Sequence, residues 1–539
     1  MLGYVRSRMS PQLKGKIKGL LKAVGWRPAL PLHHLYPVDI PELTVSEGLD
    51  FLLLELPPRY MPMMPNGLAY VDLILRGSGV SWQTIDTNIL MYHRFHQDRL
   101  LTGKQPTLSS GRPLPEDPWD NTMLAEWHGM DFLDYFWDQL QEIIEKIVVA
   151  RPKAVGVSLN GFNRKVAERF IAALREAAPG VLTVVGGYDC VYPNVGPRLF
   201  KNYDYMIIGE AENSLPPLLR AIQNNERPGG LKGVFSVFDA PECQYEPCEL
   251  SADLDVDSPR YAWVHHSLYQ TFDRKHLVPI TASRGCNWGK CRFCAECFTF
   301  RMRSPKHVAD EIEYWARLGF HTFHFNESDV NGDHANLFNI CSEIIERKLK
   351  VSCVGQLRID KRNTPEYFRH LAKAGFVHLR FGVDGWSRNT LKLQRKGYLI
   401  DTVHANIIGC ANAGIRTTVN VVIGVPGETD ADVLESIENI RKLKNYITEV
   451  ESLNTLILAA GSEYMRNTEK YKIQFRGDKE GVLAEHPYYI PTELWYSEDP
   501  YIDQNVRMER LNRICLELHS SGVNIGSFAS KIVEELKAK

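Results

Sequence analysis

Two stretches of the chain, roughly 46–250 and 275–470, alternate short apolar runs with segments of helical period. That rhythm constrains the fold more than any other feature. Short apolar runs bounded by turn residues are strands buried on both faces, and the amphipathic segments between them are helices that cover those faces. The product is an α/β fold, a parallel sheet sheathed by helices.

In the first stretch "LDFLLLELP" reads as a strand, "NGLAYVDLILRGSG" as a helix closed by glycine, and "SWQTIDTN" as a second strand. The helix "FLDYFWDQLQEIIEKIVVARP" follows, then the strand "AVGVSL", the helix "NRKVAERFIAALREAAPG" and the strand "VLTVVGG". "YDYMIIGEAENSLPPLLRAI" adds one more of each, which predicts a doubly wound, Rossmann-like sheet. The segment from about Met91 to Asp131 has no period and is rich in His, Trp, Pro and Asp. It is too long for a simple connection and is expected to be a lid or an interdomain contact.

The second stretch starts with "HLVPITASRG" and runs through six strand–helix units to "ITEVESLNTLIL". Ser304 is the expected N-cap of the helix "SPKHVADEIEYWARLGF". Six such units predict a partial (β/α)6 barrel of the TIM type, with ligands at the carboxyl ends of its strands. The chain divides into a basic lead-in (1–45), a Rossmann-like domain (46–250), the partial barrel (251–470) and a small, mostly helical C-terminal region (471–539).

Composition narrows the partners. A net charge of −2 gives no basic excess for a nucleic-acid backbone. No run approaches the length of about 18 apolar residues that spans a bilayer. The first 27 residues carry seven Lys or Arg and no acid, with Leu13, Ile17, Leu20, Leu21 and Val24 on one helical face. Such a helix either docks on the protein's own surface or lies on a membrane. Seven of the eleven cysteines are dispersed, unlike a secreted disulfide framework, so a reducing cytoplasm is the expected compartment.

The other four, Cys286, Cys291, Cys294 and Cys297, fall within twelve residues, on a loop directly after a predicted strand. Thiolates at such spacing bind soft metals, so zinc and iron–sulfur are the choices, and Cys294–Cys297 also has the spacing of a redox pair. Cys190, Cys243 and Cys248 have no metal-like spacing. Histidines 93, 96, 128, 265 and 266 and tyrosines 261, 488, 489 and 496 read as loop residues to which no role is assigned.

"ITASRGCNWGKCRFCA" resembles the cluster loop of the radical SAM superfamily, with one extra residue between the first two cysteines. The resemblance implies that Cys286, Cys291 and Cys294 hold three irons of a [4Fe–4S] cluster, leaving the fourth for S-adenosylmethionine; Cys291, Cys294 and Cys297 are the alternative set. Further segments resemble the same family in the same order. They imply cofactor contacts from Phe293 before the last ligand, Asn326 and Glu327 in "FHFNESDVNGD", and Asp384 in "LRFGVDGW". "VNVVIGVPGETDADV" adds Gly424, Pro426, Gly427 and Glu428.

The first domain resembles the cobalamin-binding module of that superfamily's cobalamin-associated class, implying that Ser158, Gly186, Gly187, Gly209 and Glu210 border the cobalamin. It lacks the DxHxxG that supplies a lower axial histidine in many such modules. The resemblance implies an enzyme that cleaves S-adenosylmethionine to a 5′-deoxyadenosyl radical and passes a methyl group from cobalamin to an unactivated carbon. It admits cyclisation, oxidation or rearrangement instead and, outside catalysis, an iron–sulfur electron carrier. It further implies an external donor such as flavodoxin or ferredoxin, and a small-molecule, lipid or peptide substrate.

Overall fold

The computed structural model describes residue 36 and residues 38–255, 257–271, 275–296 and 298–538. The basic N-terminal helix and Cys297 lie outside the described residues. The chain forms two compact units. The first runs to Cys190 and adds Asn202–Cys248 and Pro259–His276; the second comprises Val191–Lys201, Glu249–Ser258 and the chain from Leu277 onward.

The first unit holds a six-stranded sheet: β1 (Phe51–Glu55), β2 (Trp82–Asp86), β3 (Ala154–Leu159), β4 (Leu182–Gly187), β5 (Tyr205–Ile207) and β6 (Val234–Ser236). Their spatial order is β2-β1-β3-β4-β5-β6, parallel except for β6. The chain reverses its direction of growth between β1 and β3, so the carboxyl edge there is a topological switch point, where doubly wound sheets take ligands. All five residues of β1 are buried. Gly156 has no room for a side chain, since a Cβ would lie 2.5 Å from the ring of Phe51.

The segment expected to be a lid or an interdomain contact is largely packed structure. The second strand stops at Asp86, whose side chain accepts the Ile89 N–H and opens the helix Thr87–Thr102. That helix buries nine residues around most of its circumference, so it carries no amphipathic stripe to read. Its Tyr92 and Phe95 pack with Trp119, Trp127 and Phe136, the last two stacked at 4.5 Å. Each indole N–H is satisfied, Trp119 by Asn88 Oδ1 (2.8 Å) and Trp127 by the Pro118 carbonyl (2.9 Å).

His93 and His96, expected on loops, belong to this helix and are buried. His93 bridges the Tyr36 hydroxyl (3.0 Å) and the Leu268 carbonyl (2.7 Å), and burial pushes its imidazole down to about 4. His128 ends the 3-10 turn Leu124–His128, and His266 opens another, His266–Tyr269, with His265 as its cap.

The second unit holds β7 (Val278–Ile280), β8 (Thr322–Phe325), β9 (Ser352–Leu357), β10 (Phe376–Asp384), β11 (Arg416–Ile423) and β12 (Glu449–Thr455). They pair in chain order, all parallel, and the two end strands do not pair with each other among the described residues. This is an open, partial barrel. Helices with local stop signals separate the strands: Ser304 caps Pro305–Arg317 as expected, and Thr429 with Asp432 forms a capping box on Asp430–Lys442. The C-terminal region adds a three-stranded antiparallel sheet, Ile473–Phe475, Trp495–Glu498 and Tyr501–Ile502, before the helices Gln504–Ser520 and Gly526–Ala538. No described helix is long and apolar enough to cross a membrane.

Candidate functional site

The cysteine loop leaves β7 and is pinched at its base by antiparallel pairing of Ser283–Arg284 with Arg301–Met302. Gly285 sits in the pinch at φ +78°, where a Cβ would come within 2.6 Å of the Phe298 carbonyl oxygen. Only glycine fits both restrictions. Inside the loop Cys286, Cys291 and Cys294 are half-buried free thiols. The Cys294 N–H bonds the Cys291 carbonyl (3.3 Å), and the Glu296 N–H points at the Cys294 sulfur (3.4 Å).

Burial pushes the Cys286 thiol up, and that of Cys294 up to about 12, while backbone N–H groups at Trp288, Gly289 and Glu296 favour their thiolates. Cys291 is an electrostatic neighbour of both. Among the described residues no three His, Cys, Asp or Glu side chains converge on a single ion. A polynuclear cluster spreads its sulfurs over several irons and needs no such convergence. Three thiols on one loop, with amides aimed at two of them, fit a cluster.

The loop is strapped to the segment 393–398. Trp288 Nε1 donates to the Arg395 carbonyl (2.9 Å), the Arg292 N–H to the Gln394 carbonyl (3.1 Å) and the Arg292 guanidinium to the Leu393 carbonyl (3.0 Å). The Arg358 guanidinium stacks over Trp288 (4.3 Å) and Tyr398 (5.0 Å). Lys396, 5% exposed, donates to Asp384 Oδ2 at 2.7 Å and stands 5.6 Å over the ring of Phe293. Burial works against its ammonium, but Asp384, Tyr398 and Cys291 outweigh that and hold its pKa above the ordinary lysine range. Asp329 is buried beside Arg358; burial lifts its carboxyl to about 6, and its Oδ1 has no hydrogen-bond partner. Sequence reasoning passed over Asp329, Arg358, Lys396 and Tyr398, because they meet the loop from three separate segments, after β8, after β9 and at 396–398, and no local spacing marks them.

The predicted S-adenosylmethionine residues stand at neighbouring strand ends. Asn326 is exposed just after β8. Glu327 turns one carboxylate oxygen onto the N–H groups of Ala282 and Ser283, fixing the start of the cysteine loop. Its other oxygen is buried and unbonded, and burial raises its carboxyl to about 7 against those backbone hydrogen bonds. Asp384 ends β10. Gly424 lies after β11 at φ +77°, pressed by Arg507, whose Cγ would be 2.4 Å from a Cβ there. Glu428 accepts the Gly424 N–H (2.6 Å) and pairs with Arg510 (3.3 Å), closing the turn through Pro426 and Gly427.

In the first unit Ser158, Gly186 and Gly187 end the paired strands β3 and β4, while Gly209 and Glu210 follow β5. Gly187 and Gly209 are exposed, and no atom lies within 4 Å of a Cβ built on Gly209. A strand edge stripped of side chains beside a switch point fits a large, flat ligand such as cobalamin. No histidine follows β1 or β3; Arg59, beyond β1, is held by Asp86 at 3.2 Å.

Comparison with known proteins finds a domain of known family in each unit. Residues 280–440 match the radical SAM superfamily and residues 122–219 the B12 binding domain. The anaerobic magnesium-protoporphyrin IX monomethyl ester cyclase of Synechocystis sp. is 25% identical over 342 residues, 62% of this chain and 67% of that enzyme. Across such curated cyclases the chain spans between about half and two thirds of their length. The radical S-adenosylmethionine methyltransferase TsrM from Kitasatospora setae, with tryptophan and a cofactor analogue bound, has the same fold. Its TM-score is 0.60 over 80% of this chain and 79% of that chain, at 18% identity. The cobalamin-dependent radical enzyme OxsB has a TM-score of 0.61 over 86% and 66%, at 15% identity. The chain carries a radical SAM domain and a B12-binding domain, whose cofactors are a [4Fe–4S] cluster with S-adenosylmethionine and cobalamin.

Proposed function

We propose that this enzyme methylates an unactivated carbon, with Cys286, Cys291 and Cys294 as the cluster ligands. Once bound, the cluster and S-adenosylmethionine supply a carbon-centred radical, and cobalamin a transferable methyl group. The observation that carries the reading is the exposed strand edge at Gly187 and Gly209, in the domain that matches B12 binding domains and on a chain that also carries a radical SAM domain. The chain's own residues do the holding. The three thiolates ligate, Glu327 fixes the loop through Ala282 and Ser283, and the Gly424–Glu428 turn offers backbone at close range. The unbonded oxygens of Glu327 and Asp329 are acceptors suited to an ammonium group such as that of S-adenosylmethionine.

A second reading is ring closure without methyl transfer, favoured by the likeness to the magnesium-protoporphyrin cyclases. The two part on one product. The anaerobically reconstituted protein, given cobalamin, S-adenosylmethionine and titanium(III) citrate, forms S-adenosylhomocysteine if it is a methyltransferase. Formation of methionine and 5′-deoxyadenosine with no S-adenosylhomocysteine would favour ring closure.

A further inference from the structure

The Lys396–Asp384 pair is a buried charge couple beside the cysteine loop, and the chain goes to unusual lengths to place it. Asp384 is a non-glycine residue at φ +60°, where β10 and β11 slip register between Phe381 and Asp384. Left-handed backbone at such a residue is strained, and strain of this kind gathers where geometry serves function. The strain aims its carboxylate at Lys396 Nζ, 2.7 Å away. The Lys396 side is held as firmly. Its carbonyl accepts from Arg358, and the Tyr398 hydroxyl reaches the carbonyls of Gly382 (3.1 Å) and Val383 (3.3 Å). Gly397 at φ +77° lets the Trp288 ring lie where a Cβ would be only 2.2 Å away. The Arg358 contact ties the segment carrying Lys396 to the end of β9, and the others tie it to the cysteine loop or to the strand that carries Asp384.

We propose that Lys396 is a positioning residue for the cluster's charge: its ammonium, oriented by Asp384 against the loop of Cys291 and Cys294, makes the cluster easier to reduce. The inference rests on the reading of Cys286, Cys291 and Cys294 as cluster ligands. One-electron reduction by an external low-potential donor adds a negative charge to the cluster and breaks no bond. A fixed cation in a site shielded from water stabilises the reduced form, and net charge near a cluster is one of the quantities that sets its potential. Cys291 and Cys294 are both electrostatic neighbours of this ammonium, and Phe293 between them lies 5.6 Å beneath it. Asp384 has the opposite effect on the cluster, so the two members of the pair pull the potential in opposite directions.

That opposition gives the test. Full-length Lys396→Met, Asp384→Asn and Lys396→Arg proteins are reconstituted with iron and sulfide, and assayed for both. Each is then titrated redox-potentiometrically by electron paramagnetic resonance before S-adenosylmethionine is added. At a fixed potential the reduced-to-oxidised ratio is expected to fall about tenfold in Lys396→Met, about 59 mV for one electron. It rises in Asp384→Asn and stays near wild type in Lys396→Arg. Shifts of the same sign in the first two variants, or no shift with full iron, overturn the proposal. Loss of iron from Lys396→Met or Asp384→Asn also overturns it, because the pair then holds the loop rather than setting its charge. Failure of the underlying reading looks different: wild type takes up no cluster iron, or keeps it when Cys286, Cys291 and Cys294 are replaced by alanine.

Discussion

At the carboxyl ends of β3, β4 and β5 the first domain presents Ser158, Gly186, Gly187 and Gly209, none of them fully buried. At the ends of β8, β10 and β11 the second presents Glu327, Asp384 and Glu428, all buried and each engaged by the protein itself. At these strands both sheets are parallel, yet one edge carries glycines and a serine and the other fixed charges. The proposed ligands account for the contrast. A corrin is a large, preformed plane that needs room and backbone, whereas a thiolate-held cluster and a sulfonium cofactor are ionic and need fixed neighbours.

The sharpest break in that comparison comes from the cysteines. Cys286→Ala, Cys291→Ala or Cys294→Ala is expected to abolish iron and sulfide uptake while cobalamin, measured by its absorbance, still binds in full. Loss of both cofactors together would mean that the two edges are not independent.

Next in size is Gly187→Ala. At φ +104° an alanine is strained by about 1–3 kcal/mol, and its Cβ would sit 2.5 Å from the Leu159 carbonyl oxygen, so β3 must shift as well. Cobalamin affinity is expected to fall at least about tenfold, with iron content unchanged. An unchanged affinity would remove Gly187 from the cobalamin edge.

What could be read in the sequence is what neighbouring residues decide. The cap at Ser304 and the strand runs are local, and both form as expected. The helix Thr87–Thr102 was illegible because burial on nearly every side erases the alternation that marks a helix. The same burial explains why His93 and His96 looked like loop residues. Lys396 was illegible for another reason: its partner Asp384 is twelve positions away across a turn and a short helix, with no motif between them. Residues at a single strand end could be singled out, whereas the pairings between strand ends could not.

A titration separates the domains more gently. Burial raises Glu55, at the end of β1, to about 8, whereas Glu428 reaches only about 7, with the Gly424 N–H and Arg510 against it. A carboxyl raised in the fold keeps its proton while the unfolded chain loses one above the ordinary value of 4.5. Its contribution to stability is therefore full below about 4.5 and drains away as pH rises to about 8. Glu55→Gln is expected to flatten the fall in urea midpoint across that window. A profile that still falls as steeply in the variant would show that Glu55 is ionised in the folded protein.

The smallest effect is expected at Gly209→Ala, and it discriminates best between a bare edge and a merely exposed one. Gly209 has φ +73° and, unlike Gly187, nothing within 4 Å of an added methyl group, so the protein itself resists the change only through backbone strain. That costs about 1–2 kcal/mol, which calorimetry of the cobalamin-free protein measures directly. Any further loss on adding cobalamin belongs to the ligand, because no protein atom stands in the way. That strain is the same with and without cobalamin and cancels in the affinity, so a fall in cobalamin affinity puts the corrin or its nucleotide tail against Gly209. An affinity equal to wild type confines the bare edge to Ser158, Gly186 and Gly187, and leaves the turn after β5 as an ordinary strand end.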